Sequence, residues 1–375
     1  MDPWLLTYDG FDPALEGLRE TLTTLGNGYF ATRGAVPEAR ADGVHSPGTY
    51  VAGCHDLPAS RSADRSTGSE DLLNVPNWLP LTFRANGGDW FAPGGAEILD
   101  CRHTLDMRRG VLSRLLRISD PLGRITRIEQ RRLVSMDDPH LAALATTFVP
   151  ENWDGTLEVR SVLDGRVAGP GDAADRERTD PRLVPVCAHA AHGVIELLTR
   201  TAASGVEIAL AARTTLAGGR RRAGAGEEAG ESAGKGGGRG CERGVEEGWV
   251  SEDLAVEVRA GDEVAVEKVV ALYTSEDRAV TESEAAARSA VVRAGSFEAL
   301  TRRHARAWER LWQRAHVRAE RPEAQQVLNL YVFHQLQAVS PRAEEKAVPV
   351  DFRDVRRHGR VSRSPAVPLK ADRRR

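Results

Sequence analysis

Leu25-Gly26-Asn27-Gly28-Tyr29-Phe30-Ala31-Thr32-Arg33-Gly34 is the stretch whose reading decides the fold. Three glycines in ten residues mark sharp turns, because glycine alone reaches positive φ without a Cβ penalty. Gly26-Asn27-Gly28 reads as a turn, since Asn and Gly both accept left-handed geometry. Tyr29, Phe30 and Thr32 then favour an extended segment. This is not a phosphate loop: no Lys-Ser or Lys-Thr follows, and no helical pattern does. The stretch predicts a tight turn leading into a buried strand, with Gly28 at positive φ.

Outward from it, short apolar runs alternate with turn chemistry. Asn86-Gly87-Gly88-Asp89 separates runs at 81–84 and 90–91. Asp120-Pro121-Leu122-Gly123 separates 115–118 from 125–128. The run 141–149 reaches Asn152-Trp153-Asp154-Gly155 and returns through Leu157, Val159 and Ser161, which predicts a hairpin with one wet face. Runs at 195–199 and 206–210 flank Ser204-Gly205. Leu254, Val256 and Val258, followed by Gly261-Asp262 and Val264 to Leu272, predict a closing hairpin. Turn signals about every ten residues indicate an antiparallel β-sandwich. The spacing leaves no room for the crossover helices of a parallel sheet.

Residues 1–20 read as an arm with a short helical piece from Pro13 through Arg19, and 166–186 as a loop. Residues 217–248 are Gly, Ala, Glu and Arg with almost nothing apolar, which predicts a disordered insertion. The regime changes near 276. Thr281-x-x-Glu284 reads as a capping box. Gly295-Ser296 then interrupts the helix. Phe297, Leu300, His304, Trp308, Leu311 and Trp312 recur at helical spacing. Pro322 opens a third helix, to 339, that is apolar on almost every side. Such a helix needs covering partners, and self-association into a homodimer is expected where they are missing. The organisation is therefore a β-sandwich domain over 1–275, a helical linker over 276–340 and an unstructured Arg-rich tail over 341–375.

A net charge of −3 argues against a dedicated nucleic-acid binder. Cys54, Cys101, Cys187 and Cys241 lie far apart in sequence, so no Cys-x-x-Cys ligand pair or disulfide framework is legible. No basic leader opens the chain and no apolar run is long enough to span a membrane. A cytoplasmic location is expected.

Several short pieces arrive in the order of one family. They are Leu25 to Gly34, Tyr50-Val51-Ala52-Gly53, Leu73-Asn74-Val75-Pro76-Asn77-Trp78-Leu79, Leu99-Asp100-Cys101-Arg102, Leu105-Asp106-Met107-Arg108-Arg109-Gly110-Val111-Leu112 and Ser135-Met136-Asp137-Asp138-Pro139-His140-Leu141-Ala142. Together they resemble the amino-terminal half of glycoside hydrolase family 65, the maltose, trehalose and kojibiose phosphorylases and trehalose hydrolases. The resemblance implies a large supersandwich of the galactose-mutarotase type. It implies an enzyme family acting on α-glucosidic disaccharides, with inorganic phosphate or water, without metal or organic cofactor. The family's catalytic barrel, with its general acid and phosphate site, has no matching positions here, and its Gly-Glu-Gly-Tyr-like and Phe-Trp-Asp segments do not follow residue 341. A truncated or frameshifted, catalytically inactive product is expected; the alternatives are a free-standing carbohydrate-binding module and an enzyme with another site.

Glycoside chemistry needs a carboxylic acid on one face of the scissile bond. Glu70-Asp71, Asp137-Asp138 and Glu151 are the carboxylates nearest the motifs, all in turn contexts, and none is assigned a catalytic role. His189-x-x-His192 would share a helix face as a metal pair, but no third ligand is evident and the context is loop or strand. Trp78, with Asn74 and Asn77, is the candidate sugar contact: an indole suits a pyranose face and Asn amides suit hydroxyls. The competing reading is a buried loop anchor.

Overall fold

A computed structural model of the chain describes residues 2–54, 73–167, 182–219, 241–278 and 280–338. In chain order the elements are β1 (Leu5–Asp9), α1 (Glu16–Leu22), β2 (Leu25–Gly26), β3 (Phe30–Thr32), β4 (Thr49–Val51), β5 (Leu81–Ala85), β6 (Glu97–Asp106), β7 (Val111–Ser119), β8 (Ile125–Val134) and β9 (Leu141–Pro150). They continue with β10 (Gly155–Asp164), β11 (Leu183–Ala191), β12 (Val194–Thr201), β13 (Glu207–Gly218), β14 (Cys241–Glu246), β15 (Trp249–Val258), β16 (Val264–Thr274), α2 (Ser283–Arg293), α3 (Phe297–Ala315) and α4 (Pro322–Ala338).

The strands form a large antiparallel sandwich. One sheet has nine strands in the order β1-β6-β7-β8-β9-β16-β13-β12-β11. The facing sheet has four, β14-β15-β10-β5, and β2-β3-β4 form a small third sheet. Leu116, Ile128 and Phe148 from the large sheet meet Leu157, Val159 and Leu163 from the facing one. The other face of the large sheet is also covered: Ala143, Ala211 and Val269 pack against Ala287, Val291, Phe297 and Leu300 of α2 and α3. This double burial explains why Leu141-Ala142-Ala143-Leu144 and Val269-Val270-Ala271-Leu272 do not alternate.

Two expected hairpins are crossings between sheets. β9 pairs with β8 and β16, whereas β10 pairs with β15 and β5. Residues 151–154 therefore carry the chain from one layer to the other. Trp153 closes the end of the sandwich there, 6% exposed, with its indole N–H donated to Thr126 Oγ1 at 3.0 Å. β15 and β16 divide between the sheets in the same way. The capping box also fails to form: α2 begins at Ser283 after an extended Glu282, without a side-chain cap. The expected loop over 166–186 and insertion over 217–248 both lose ground to strands. β11 begins at Leu183, β13 runs through Gly218, and 241–246 form β14, while 220–240 lie outside the described residues. β11 and β14 are sheet edges. Edge strands carry polar and charged residues, as Glu242, Arg243 and Glu246 do in β14, so their backbone pairing leaves little apolar signature.

Gly295, at φ +84°, separates α2 from α3, and Ser296 caps α3 through its Oγ and the Ala299 N–H. α4 buries one stripe, Asn329, Phe333 and Gln337, and exposes Val327 and Tyr331 on the opposite side. It is tied to the start of the chain. Asn329 Nδ2 donates to the Pro3 carbonyl (2.9 Å) and Gln326 Nε2 to that of Leu5 (2.5 Å). Trp4 stands edge-on to Trp312 of α3 at 4.7 Å. The expected tail, 341–375, lies outside the described residues.

Candidate functional site

The glycine-rich stretch is a knot that ties strands together. Gly28 takes φ +83°. Asn27, 2% exposed, uses its whole amide: Oδ1 accepts from the N–H groups of Tyr29 and Phe30, and Nδ2 donates to the carbonyls of Ser135 (2.8 Å) and Pro139 (2.9 Å). The turn is thereby stapled to the β8–β9 connection. The Tyr29 hydroxyl donates to Asp277 Oδ2 at 2.7 Å, and burial followed by the Asp277 charge raises its pKa well above the ordinary value. His140 stacks flat on Tyr273 at 3.8 Å and donates Nδ1–H to the Leu272 carbonyl. These groups are consumed by one another.

Asn74, Asn77 and Trp78 share one loop, and all three turn inward. Asn74 Oδ1 accepts the Thr49 N–H at 3.0 Å. Asn77 exchanges backbone hydrogen bonds with Asp164, and its Oδ1 accepts the Leu79 N–H. Trp78 is 1% exposed and donates its indole N–H to Thr32 Oγ1 at 2.9 Å. Stacking on a sugar needs an open ring face, and Trp78 presents none, so the geometry is that of a loop anchor.

The carboxylates are similarly engaged. Asp138 accepts the His140 N–H, Asp137 pairs with Arg303 at 3.4 Å, and Glu151 pairs with Arg117 at 2.7 Å. Glu70 and Asp71 lie outside the described residues. His189 sits on β11 and His192 occupies the turn to β12 at φ +52°, the strand-and-turn context that argues against a helical metal pair.

Two features escaped the sequence reading. The first is a polar seam under the glycine stretch. Arg114 pairs with Glu38 at 2.6 Å, Gln130 donates to Glu38 at 3.0 Å, and Arg132 donates to the Ala35 carbonyl. Nearby, His45 and Glu20 meet at 2.8 Å, and that hydrogen bond raises the His45 pKa. Burial lowers His103 to about 3 and Arg132 to about 10. The cavity lined by Ala35, His103, Arg114 and Arg132 measures about 20 Å³, room for one water molecule and far too small for a sugar. Strand alternation places Arg114 with Leu112 and Leu116, and Gln130 and Arg132 with Ile128, on the inward face, but charged and amide side chains ordinarily face water and carry no core signal.

The second is the socket for α3. Its floor is the 105–112 motif. Trp312 donates its indole N–H to the Met107 carbonyl at 3.1 Å, and Trp308 covers Gly110. His304 Nδ1 accepts the Met136 N–H at 2.9 Å, which leaves Nε2 protonated and donating to the Gly110 carbonyl at 3.1 Å. Burial lowers His304 to about 4, so the imidazole is neutral. The motif residues thus fix α3 onto the sandwich.

Among the described residues, the polar groups of the motifs are spent on holding turns and on seating α3 against a large antiparallel sandwich. Comparison identifies the family: the description "Glycosyl hydrolase family 65, N-terminal domain" matches residues 6–311, and the chain belongs to that family. An uncharacterized glycosyl hydrolase of Mycobacterium tuberculosis (strain ATCC 25618 / H37Rv) is 37% identical over 345 residues, 92% of this chain and 25% of the relative. The kojibiose phosphorylase of Thermoanaerobacter brockii is 30% identical over 172 residues, 46% of this chain and 21% of that enzyme. The solved "Putative kojibiose phosphorylase from human microbiome" shares the fold, with TM-score 0.72 at 17% identity, over 90% of this chain and 42% of its own. The chain spans about a quarter of the length of these curated relatives.

Proposed function

We propose that this chain serves as the non-catalytic amino-terminal domain of a family 65 enzyme acting on α-glucosidic disaccharides, by phosphorolysis or hydrolysis, in the cytoplasm. Its task is to seat a helical linker and present it to a catalytic domain. The observation that carries this reading is the division of labour in the helices: His304, Trp308 and Trp312 lock α3 onto the sandwich, while α4 turns Val327 and Tyr331 outward, 54% and 68% exposed. The engaged carboxylates support the absence of chemistry in this domain. The names of the phosphorylase relatives support a disaccharide and inorganic phosphate as the whole enzyme's substrates.

The test is incubation of the purified chain with kojibiose, trehalose or maltose, with and without phosphate. No glucose or glucose 1-phosphate above a buffer control is expected, and release of either overturns the reading. Calorimetric titration with the same sugars is expected to be silent; saturable binding without turnover would favour a free-standing carbohydrate-binding module instead.

A further inference from the structure

β11 is the outer edge of the nine-stranded sheet, and it contains a bulge. Pro185 is opposite Thr199 and Cys187 is opposite Leu198, so Val186 is an extra residue. A bulge shifts the side-chain alternation by one. Leu183 points into the sandwich core, as do Ala188 and Ala190 beyond the bulge. Cys187 and His189 are thereby turned to the opposite face, where Cys187 packs with the cluster under α2. An unbulged strand would send both inward with Leu183.

On that face they meet Glu284 in the first turn of α2. Cys187 Sγ lies 3.0 Å from Glu284 Oε1, and one ligand atom from each of Cys187, His189 and Glu284 falls within 4.8 Å of the other two. Glu196, directly opposite His189, is held by Arg288 through both oxygens and is not free to join them. We infer that Cys187, His189 and Glu284 form a zinc-binding site that clasps the edge strand β11 to the helix α2. A thiolate, an imidazole and a carboxylate are ligand types that Zn²⁺ accepts in tetrahedral geometry, with water as the fourth ligand. Cys187 and Glu284 together supply two negative charges against the ion's two positive ones. Binding forms a Zn–S bond in place of the S–H bond and releases the thiol proton to solvent, so affinity rises with pH.

The test uses the full chain, reduced and stripped with EDTA, titrated with Zn²⁺ by calorimetry and with Co²⁺ by absorbance. One ion per chain is expected, with proton release seen as a buffer-dependent enthalpy, and with a thiolate-to-Co²⁺ charge-transfer band in the near ultraviolet. Cys187→Ser should abolish that band. His189→Gln, at an exposed position, should keep the fold by circular dichroism and weaken binding roughly tenfold or more. His192→Gln should bind like the parent chain. The inference is overturned if no charge-transfer band appears, if the band survives Cys187→Ser, or if His189→Gln binds as tightly as the parent. None of these outcomes bears on disaccharide turnover, so the site stands or falls apart from the family role.

Discussion

A Cβ built on Gly110 would lie 2.0 Å from Nε1 of Trp308. The absence of a side chain at Gly110 is what lets α3 lie down on the 105–112 motif. Gly110 also holds φ +65°, so Gly110→Ala suffers twice, by backbone strain and by collision. Gly123 holds φ +75° with nothing near its Cβ position and isolates the backbone part. Gly123→Ala should cost about 1–2 kcal/mol. Gly110→Ala should cost that plus about 1–3 kcal/mol for overpacking. Urea midpoints that fall equally would show that α3 yields without resistance.

Acid should unfold the domain through its neutral histidines. His304 and His334 are lowered to about 4 and His103 to about 3, each chiefly by burial. Below about pH 6.5 the unfolded chain takes up protons that the folded one refuses, so stability falls with pH. Each such histidine contributes a slope of about 1.4 kcal/mol per pH unit down to its folded pKa. His45 acts oppositely: its raised pKa adds stability that is complete below about 6.5 and is lost as pH rises through the folded value. Below about pH 6.5 the His45 contribution is constant, so the three buried histidines produce a net loss between about pH 6.5 and 4. A denaturation midpoint that stays flat across that window would contradict the burial of these rings.

Lys268 crosses the middle of the sandwich, fully buried, and among the described residues its ammonium donates to the carbonyls of Val162 (2.7 Å) and Pro80 (3.0 Å). Burial drives its pKa well below that of an ordinary lysine. Replacing such a group by an apolar one of similar length removes the desolvation cost. Lys268→Met should leave the thermal midpoint unchanged or higher. A drop of several degrees would mean that the two bonds across the layers outweigh that cost.

Phe333 stacks on Trp308 at 4.8 Å and is fully buried, whereas Tyr331, two residues away, is 68% exposed. Phe333→Ala should cost about 3–5 kcal/mol. Tyr331→Asp should change stability by less than about 0.5 kcal/mol. If the outward face of α4 drives dimerisation, Tyr331→Asp should shift sedimentation toward monomer; an unchanged distribution would remove that face as the cause.

Much of the fold was legible because its signals are local. Positive φ at Gly28, the turns at Asn86-Gly87 and Asp120 to Gly123, and the Phe297-to-Trp312 stripe each need only a few adjacent residues. The crossings were not legible. The same four residues serve a hairpin or a passage between layers, and the difference lies in where Trp153 finds burial, beside Thr126. Trp78 shows the same limit: flanking asparagines suit a sugar or a buried loop equally, and the Thr32 hydroxyl that accepts its N–H hydrogen bond is 46 residues away. Pro185 beside Val186 is compatible with an edge strand or a bulge alike, and only the register across to β12 shows the bulge that decides which face receives Cys187.

The bonds from Asn329 to Pro3 and from Gln326 to Leu5 join segments 326 and 321 residues apart. On a ribosome adding 5–20 residues per second, the arm waits roughly 15–65 s for that helix to be made. Throughout that interval Trp4 lacks Trp312 to pack against. Closure of this edge therefore cannot precede the synthesis of α4, and until then the nascent domain carries an unsealed aromatic end.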